Sequence, residues 1–197
     1  VKVRHPKVAA SALSLSALAF VGLITHEGWF ERATVPTKGD VPTVGPGLTQ
    51  RPDGTPVQLG DTIKPVEGIQ RSHAHIAKDE AGLKACVTGE LSQVEYDLLM
   101  DFSYQYGVGA ACSSPMVKYI NAGKYVEACQ AYAQYRFMTD TVPHQGWEAY
   151  RFDPQGKPIR WRYDCSTISS STGKPNKVCW GVWTRQKTRI DKCMAAQ

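Results

Sequence analysis

The sequence predicts an α+β fold: an N-terminal apolar helix, then a small β-hairpin lobe, then a larger helical lobe, with a cleft between the two lobes. Three observations carry this expectation. Residues 8–24 form an uncharged run, and residues 28–60 are rich in Gly, Pro and Thr without helical periodicity. From about residue 72 onward, apolar residues recur at intervals of three and four. The 197 residues suffice to bury a core. With 42% apolar and 21% charged residues, the composition excludes a disordered chain. A net charge of +5 suits a protein that works near an anionic polymer.

The first element rests on charge and length. Lys2, Arg4 and Lys7 precede the run Val8 to Ile24, which predicts an inside N-terminus and an exported remainder. Seventeen residues is the short limit for spanning a hydrocarbon core of about 30 Å. Ser11, Ser14, Ser16, Gly22 and five alanines dilute the leucines, so lipid would hold the segment only loosely. Ala17-Leu18-Ala19 has the small-x-small form of a signal-peptidase site but falls mid-run, so an uncleaved segment is preferred over a cleaved one. Val1 reads as a start codon rendered literally, with Met heading the mature chain. Residues 1–26 are therefore taken as an export and membrane-anchoring segment, and 27–197 as the folded domain.

Within that domain, Ala33 to Pro36, Thr37 to Asp40 and Val41 to Gly45 read as strand, turn and strand. Arg51-Pro52-Asp53-Gly54 marks a second turn before an extended piece, Pro56 to Leu59. Tyr96, Leu99, Phe102 and Tyr106 place an amphipathic core helix over Ser92 to Tyr106, with Ser92 as N-cap and Glu95 completing a capping box. Two further helices, Met116 to Ala122 and Tyr125 to Phe137, flank the turn Asn121-Ala122-Gly123-Lys124. Residues 138–179 read as loop, and a basic helix runs from about Val182 to Met194. Six cysteines without zinc-ligand spacing point to as many as three disulfides rather than to metal. Cys165 and Cys179, which bracket a turn-rich stretch, form the best single pair.

Glu27 follows the apolar run by three residues, and Asp40 and Thr43 lie on the hairpin just after it. Glycoside hydrolysis needs an acid to protonate the leaving oxygen and a polar group to hold or activate water. A helix end facing a hairpin can supply both. Taken alone the pattern is weak, because a surface Glu and a turn Asp are commonplace.

A resemblance strengthens it. Glu27-Gly28, Ala33 and Gly39 to Gly47 resemble the first motif of phage-type lysozymes (glycoside hydrolase family 24). Tyr96 to Gly107 resembles that family's core helix, Ser113 to Gly123 its Asn-Ala-Gly turn, and Gly181 to Lys187 with Asp191 to Cys193 its closing helix. The resemblance implies a lysozyme-like fold and hydrolysis, with inversion, of the β-1,4 bond between N-acetylmuramic acid and N-acetylglucosamine in peptidoglycan, leading to host cell lysis. It implies Glu27 as general acid, Thr43 positioning water, and Asp40 orienting that water or stabilising charge at the sugar. It implies no cofactor, no metal, no nucleic-acid partner and a monomer. Two departures stand out. The Glu27–Thr43 spacing is one residue longer than the family's, and Pro36 occupies the family's Asp position, nine after the Glu. Residues 138–179 read as an insertion whose Arg151, Lys157, Arg160 and Arg162 can reach wall polymer; a solvated basic loop is the plainer alternative.

Because Leu23 and Ile24 cannot lie in lipid and in a domain core at once, the expectation is a switch. The chain would wait on the inner membrane through residues 8–24 and be released to the periplasm, as the similar signal-anchor-release endolysins are. The competing functions are an exported lytic transglycosylase using a lone Glu, and an inactive peptidoglycan-binding protein on the same scaffold. A nucleic-acid binder has only charge in its favour.

Overall fold

The computed structural model describes residues 5–36 and 39–197, apart from the side chains of residues 26 and 27. Lys2 and Arg4, and Thr37 and Lys38 of the hairpin turn, lie outside the described residues. The chain forms an α+β arrangement of a small β lobe on a larger helical lobe, with open sheets.

The N-terminal run does not form the helix expected of it. It divides into a short strand β1 (Val8–Ala9), a 3-10 turn (Ala10–Ala12), an extended stretch and helix α1 (Ala17–Glu27). At about 1.5 Å per residue, eleven residues reach roughly 16 Å, half of a hydrocarbon core. Among the described residues no helix is long and apolar enough to cross a membrane. The expected signal-anchor, its inner-membrane attachment and release into the periplasm are therefore corrected. The physical cause is a pair of distant carboxylates that stop the helix from starting earlier. Glu80 accepts the Leu15 N–H at 2.7 Å, and Asp97 accepts both the Ser16 N–H (3.0 Å) and its hydroxyl (2.6 Å). Ser16 in turn caps α1 by accepting the Ala19 N–H. Ala10 and Leu23 are buried in the main core, and Leu13, Leu15 and Phe20 pack against it.

The β lobe follows. Strands β2 (Phe30–Thr34) and β3 (Thr43–Gly45) pair antiparallel, with Phe30 opposite Gly45 and Thr34 opposite Thr43. Ala33, Val44, Val57 and Ile63 form its own small core, sealed by Trp29 and Leu48. Arg51 clamps Asp61 through two hydrogen bonds of 2.8 Å, closing the long loop back onto the hairpin.

Helix α2 (Pro65–Cys86) connects the lobes, starting with Pro at its first position, earlier than the residue-72 boundary expected. Its opening turns expose Val66 and Ile69, which hides the helical period there. Strand β4 (Glu90–Leu91) pairs with β1, and α3 (Gln93–Tyr106) starts with the expected Ser92–Glu95 capping box. Six α3 side chains from Tyr96 to Ser103 are buried, making it the central helix. Helices α4 (Val108–Cys112), α5 (Pro115–Asn121) and α6 (Tyr125–Ala131) wrap it, and α7 (Trp180–Ala195) closes the lobe. Asn121, from the expected turn, is a structural bridge. Its side chain accepts the Thr88 and Gly89 N–H groups and donates to the Cys86 carbonyl.

Residues 138–179 are not mere loop. Strands β5 (Phe137–Asp140), β6 (Glu148–Phe152) and β7 (Pro158–Asp164) form an antiparallel sheet in the order β5-β7-β6. Their exposed, charge-rich residues do not alternate, so no strand period marks them.

The disulfides are Cys86–Cys112, Cys129–Cys193 and the expected Cys165–Cys179. They span 26, 64 and 14 residues, so loop-closure entropy favours the second most, at roughly 4 kcal/mol.

Glu95 ties both ends of the fold to α3. It is nearly fully buried, forms an ion pair with Lys7, accepts from Ser92, and accepts the Gln197 amide at 2.8 Å. Burial opposes its ionisation, but Lys7, Ser92 and Gln197 outweigh that and hold it below the ordinary 4.5. Asp61 falls to about 2 through its Arg51 bonds and the Gln58 N–H. A carboxyl depressed in the folded state stabilises it above the unfolded pKa, and that contribution is lost as pH falls through the folded value. The midpoint of thermal unfolding is therefore expected to be flat above about pH 5 and to drop steadily from pH 4 toward 2, read by circular dichroism. A flat profile to pH 2 would contradict these pairings.

Candidate active site

The proposed acid, Glu27, is the last residue of α1. Gly28 ends the helix with φ +75°, a left-handed value that glycine adopts without strain, and its N–H bonds the Thr25 carbonyl. The chain then turns directly into Trp29 and β2. The Glu27 side chain lies outside the described residues, so only its backbone station is fixed: the junction between the helical lobe and the hairpin.

Trp29 anchors that junction. Its indole lies so close to Gly68 of α2 that a Cβ there would meet the ring at 2.5 Å, while Pro46 closes the far side at 3.5 Å. The absence of a side chain at position 68 thus lets the hairpin root pack on the connecting helix. Gly68→Ala gains helix propensity of about 1 kcal/mol but faces an overpacking cost of about 1–3 kcal/mol. The clash is expected to win, lowering the thermal midpoint and, by moving the residue two after Glu27, the rate of wall digestion. A raised midpoint with full activity would show that Trp29 swings away freely.

Thr43 opens β3 and is 7% exposed, and its hydroxyl has no hydrogen-bond partner among the described residues. A buried hydroxyl without a protein partner is uncommon and calls for an explanation. Asp40 is exposed three residues earlier, with one carboxylate oxygen accepting the Val41 N–H at 3.0 Å. Pro36, at the position where an Asp was sought, is exposed. Thr43 and Asp40 thus share the hairpin that follows Glu27, one buried and one facing solvent. A concavity of about 520 Å³ lies beside the end of α1, lined by Phe20, Ile24, Trp29, Glu31, Pro65 and Ile69. No group of three or more His, Cys, Asp or Glu side chains among the described residues could hold a metal ion.

Behind α1 stands a charged cluster that the sequence reading passed over. Asp101 of α3 accepts from Arg185 Nη2 and Arg189 Nε of α7, both at 2.7 Å, and Arg189 also reaches Gln105 and Gln186. Burial opposes ionisation of Asp101, but the two guanidinium groups prevail and hold its pKa below the ordinary 3.8. Its only sequence signal was an acid set between Met100 and Phe102 in an otherwise apolar helix. Asp101, Arg185 and Arg189 also line a second cavity of about 530 Å³, against Ala19 and Gly22 of α1.

Comparison with known proteins gives this geometry a context. Residues 25–149 match the family model described as phage lysozyme. The chain is 26% identical over 120 residues to the endolysin of Salmonella phage P22, covering 61% of this chain and 82% of that protein. In structure it is similar to the endolysin from Escherichia coli O157:H7 phage FAHEc1, with a TM-score of 0.65 and 22% identity over 92% of this chain and 94% of that one. It is also similar to the muramidase domain of SpmX from Asticaccaulis excentricus, with a TM-score of 0.62 and 14% identity, covering 92% and 97% of the two chains.

Proposed function

We propose, from the premise that this chain belongs to the phage lysozyme family and is a muramidase acting on bacterial peptidoglycan, that Glu27, Asp40 and Thr43 carry its chemistry. Glu27 donates its proton to the glycosidic oxygen as the bond from the muramyl anomeric carbon breaks. A water held by the Thr43 hydroxyl adds to that carbon from the opposite face, and Asp40 orients the water and accepts its proton. The outcome is hydrolysis of the β-1,4 bond between N-acetylmuramic acid and N-acetylglucosamine with inversion, and in a phage context lysis of the host. The unit that does this includes the N-terminal residues packed into the helical lobe as well as residues 27–197, with 138–179 as an added segment.

The observation that supports the reading most is the Thr43 hydroxyl. It is buried, has no hydrogen-bond partner among the described residues, and sits in the hairpin that leaves Glu27. Its hydrogen-bonding capacity is uncommitted, so a movement of the hairpin that admits water would give that water a partner, which hydrolysis requires and anhydro-sugar formation does not. Digestion of purified peptidoglycan followed by mass spectrometry of the fragments tests it. Reducing-end products, one water heavier than anhydro products, are expected. Anhydro products would move the assignment to a lytic transglycosylase. No digestion by the folded, oxidised protein would favour a wall-binding protein, for which Pro36 and the solvent-facing Asp40 are the supporting features.

A further inference from the structure

We infer that the sheet β5-β7-β6 is a second holding surface for the carboxylate-bearing glycan, centred on Arg151, Arg160 and Tyr150. The identity of the polymer rests on the muramidase reading; the surface itself rests on the exposure of the sheet and on two facing arginines without acidic partners.

None of the residues in these three strands is buried. The sheet is joined to the helical lobe at its root, where the Cys165 N–H bonds the Arg136 carbonyl and Arg136 pairs with Asp164. Phe137, Trp161 and Tyr163 are half-buried, whereas Tyr150 and Phe152 on β6 are exposed, so these two rings gain little from apolar burial. Along one face the cations near the root are already satisfied. Arg162 pairs with Glu148 at 2.6 Å and lies over the rings of Phe137 (4.5 Å) and Tyr150 (5.5 Å).

One rung further out the pattern changes. Arg151 and Arg160 stand directly opposite each other across β6 and β7, with a register irregularity on each side of the pair. Both are exposed, and neither has an acidic partner among the described residues. Like charges at facing positions destabilise a sheet, and bulges re-aim the side chains beside them. Two guanidinium forks held together against their own repulsion match a ligand with closely spaced carboxylates. Peptidoglycan carries these on the stem peptides that stand along its glycan strands. Tyr150 and Phe152, 37% and 52% exposed alongside, present rings on which the apolar faces of pyranose sugars can lie. The protein's net charge of +5 favours the same partner.

The test is co-sedimentation with purified insoluble sacculi, using full-length oxidised Glu27→Gln protein to prevent digestion. Adding Arg151→Ser with Arg160→Ser is expected to weaken binding about tenfold at low ionic strength, with the difference shrinking in 0.5 M salt. The thermal midpoint should stay level or rise, because a repulsion is removed; a merely structural pair would lower it. With Glu27 intact, the double variant should digest sacculi more slowly but cleave short soluble glycan at the parental rate. Unchanged sacculus binding overturns the inference, as does a loss confined to phosphatidylglycerol vesicles, which would assign the pair to lipid. Parental cleavage of glycan alongside unchanged binding would sink this inference alone. Weakened binding by a protein that cleaves neither substrate would instead sink the catalytic reading and leave this surface standing.

Discussion

Glu27→Gln is expected to lower the rate of peptidoglycan digestion at least a hundredfold while leaving the thermal midpoint within about a degree. The glutamine has nearly the same shape but cannot deliver a proton to the leaving oxygen, and a positioned general acid contributes roughly 10²–10⁴ in rate. Because the proton moves only as the bond breaks, the loss should fall on kcat with KM little changed. Turbidity loss of a sacculus suspension measures it. A variant retaining a tenth of the activity would remove Glu27 from the acid role. Asp40→Asn measured beside it addresses the departure at position 36. A comparable loss would mean that Asp40 fills the carboxylate role from its own place on the hairpin. Full activity would mean that Thr43 and Glu27 suffice.

The second large effect concerns stability. Asp101→Ala is expected to destabilise the fold by about 3–5 kcal/mol, because it strands a buried guanidinium. Arg189 is 1% exposed and would keep Gln105, Gln186, a backbone carbonyl and the face of the Phe102 ring, but no acid, as partners. In a chain of this size that corresponds to a fall of about 6–20 °C in the thermal midpoint. Urea unfolding should show a lower midpoint concentration with an unchanged slope. Asp101→Asn, which keeps an acceptor, should lose less. Asp101→Leu combined with Arg189→Met should recover part of the loss, since it removes the fully buried charge and leaves only the part-exposed Arg185 without its carboxylate. A loss below 1 kcal/mol for Asp101→Ala would mean that Arg189 is hydrated in solution.

What could be read directly from the chain was local. The α3 helix declared itself through its three-and-four period and a capping pair three residues apart, both properties of a single turn. Cys165–Cys179 was legible because a short, turn-rich loop limits where its ends can go. The N-terminal run was misread because the groups that break it, Glu80 and Asp97, come 65 and 81 residues later in the chain. Nothing within the run itself announces the break. The β5-β7-β6 sheet escaped notice for the opposite reason: with neither face buried, it has no hydrophobic period to display. At the candidate site, motif spacing singled out Asp40 and Thr43, but not that one would be solvent-facing and the other sealed without a partner. Asp101 was overlooked because its cations belong to a helix 84 and 88 residues away.

The placement of those cations bears on how the molecule is made. On the ribosome, Asp101 and Cys129 emerge well before Arg189 and Cys193, the groups that neutralise and cross-link them. Until α7 is translated, the central helix carries an uncompensated acid, and α6 an unpaired thiol, where α7 will pack. The nascent chain therefore cannot settle its helical lobe piece by piece from the N-terminus. The partners that complete the lobe, Arg189 and Cys193, arrive only with the last helix. A ribosome halted before Arg185 would hold a chain whose hairpin and central helix are already synthesised yet lack the helix that finishes their core.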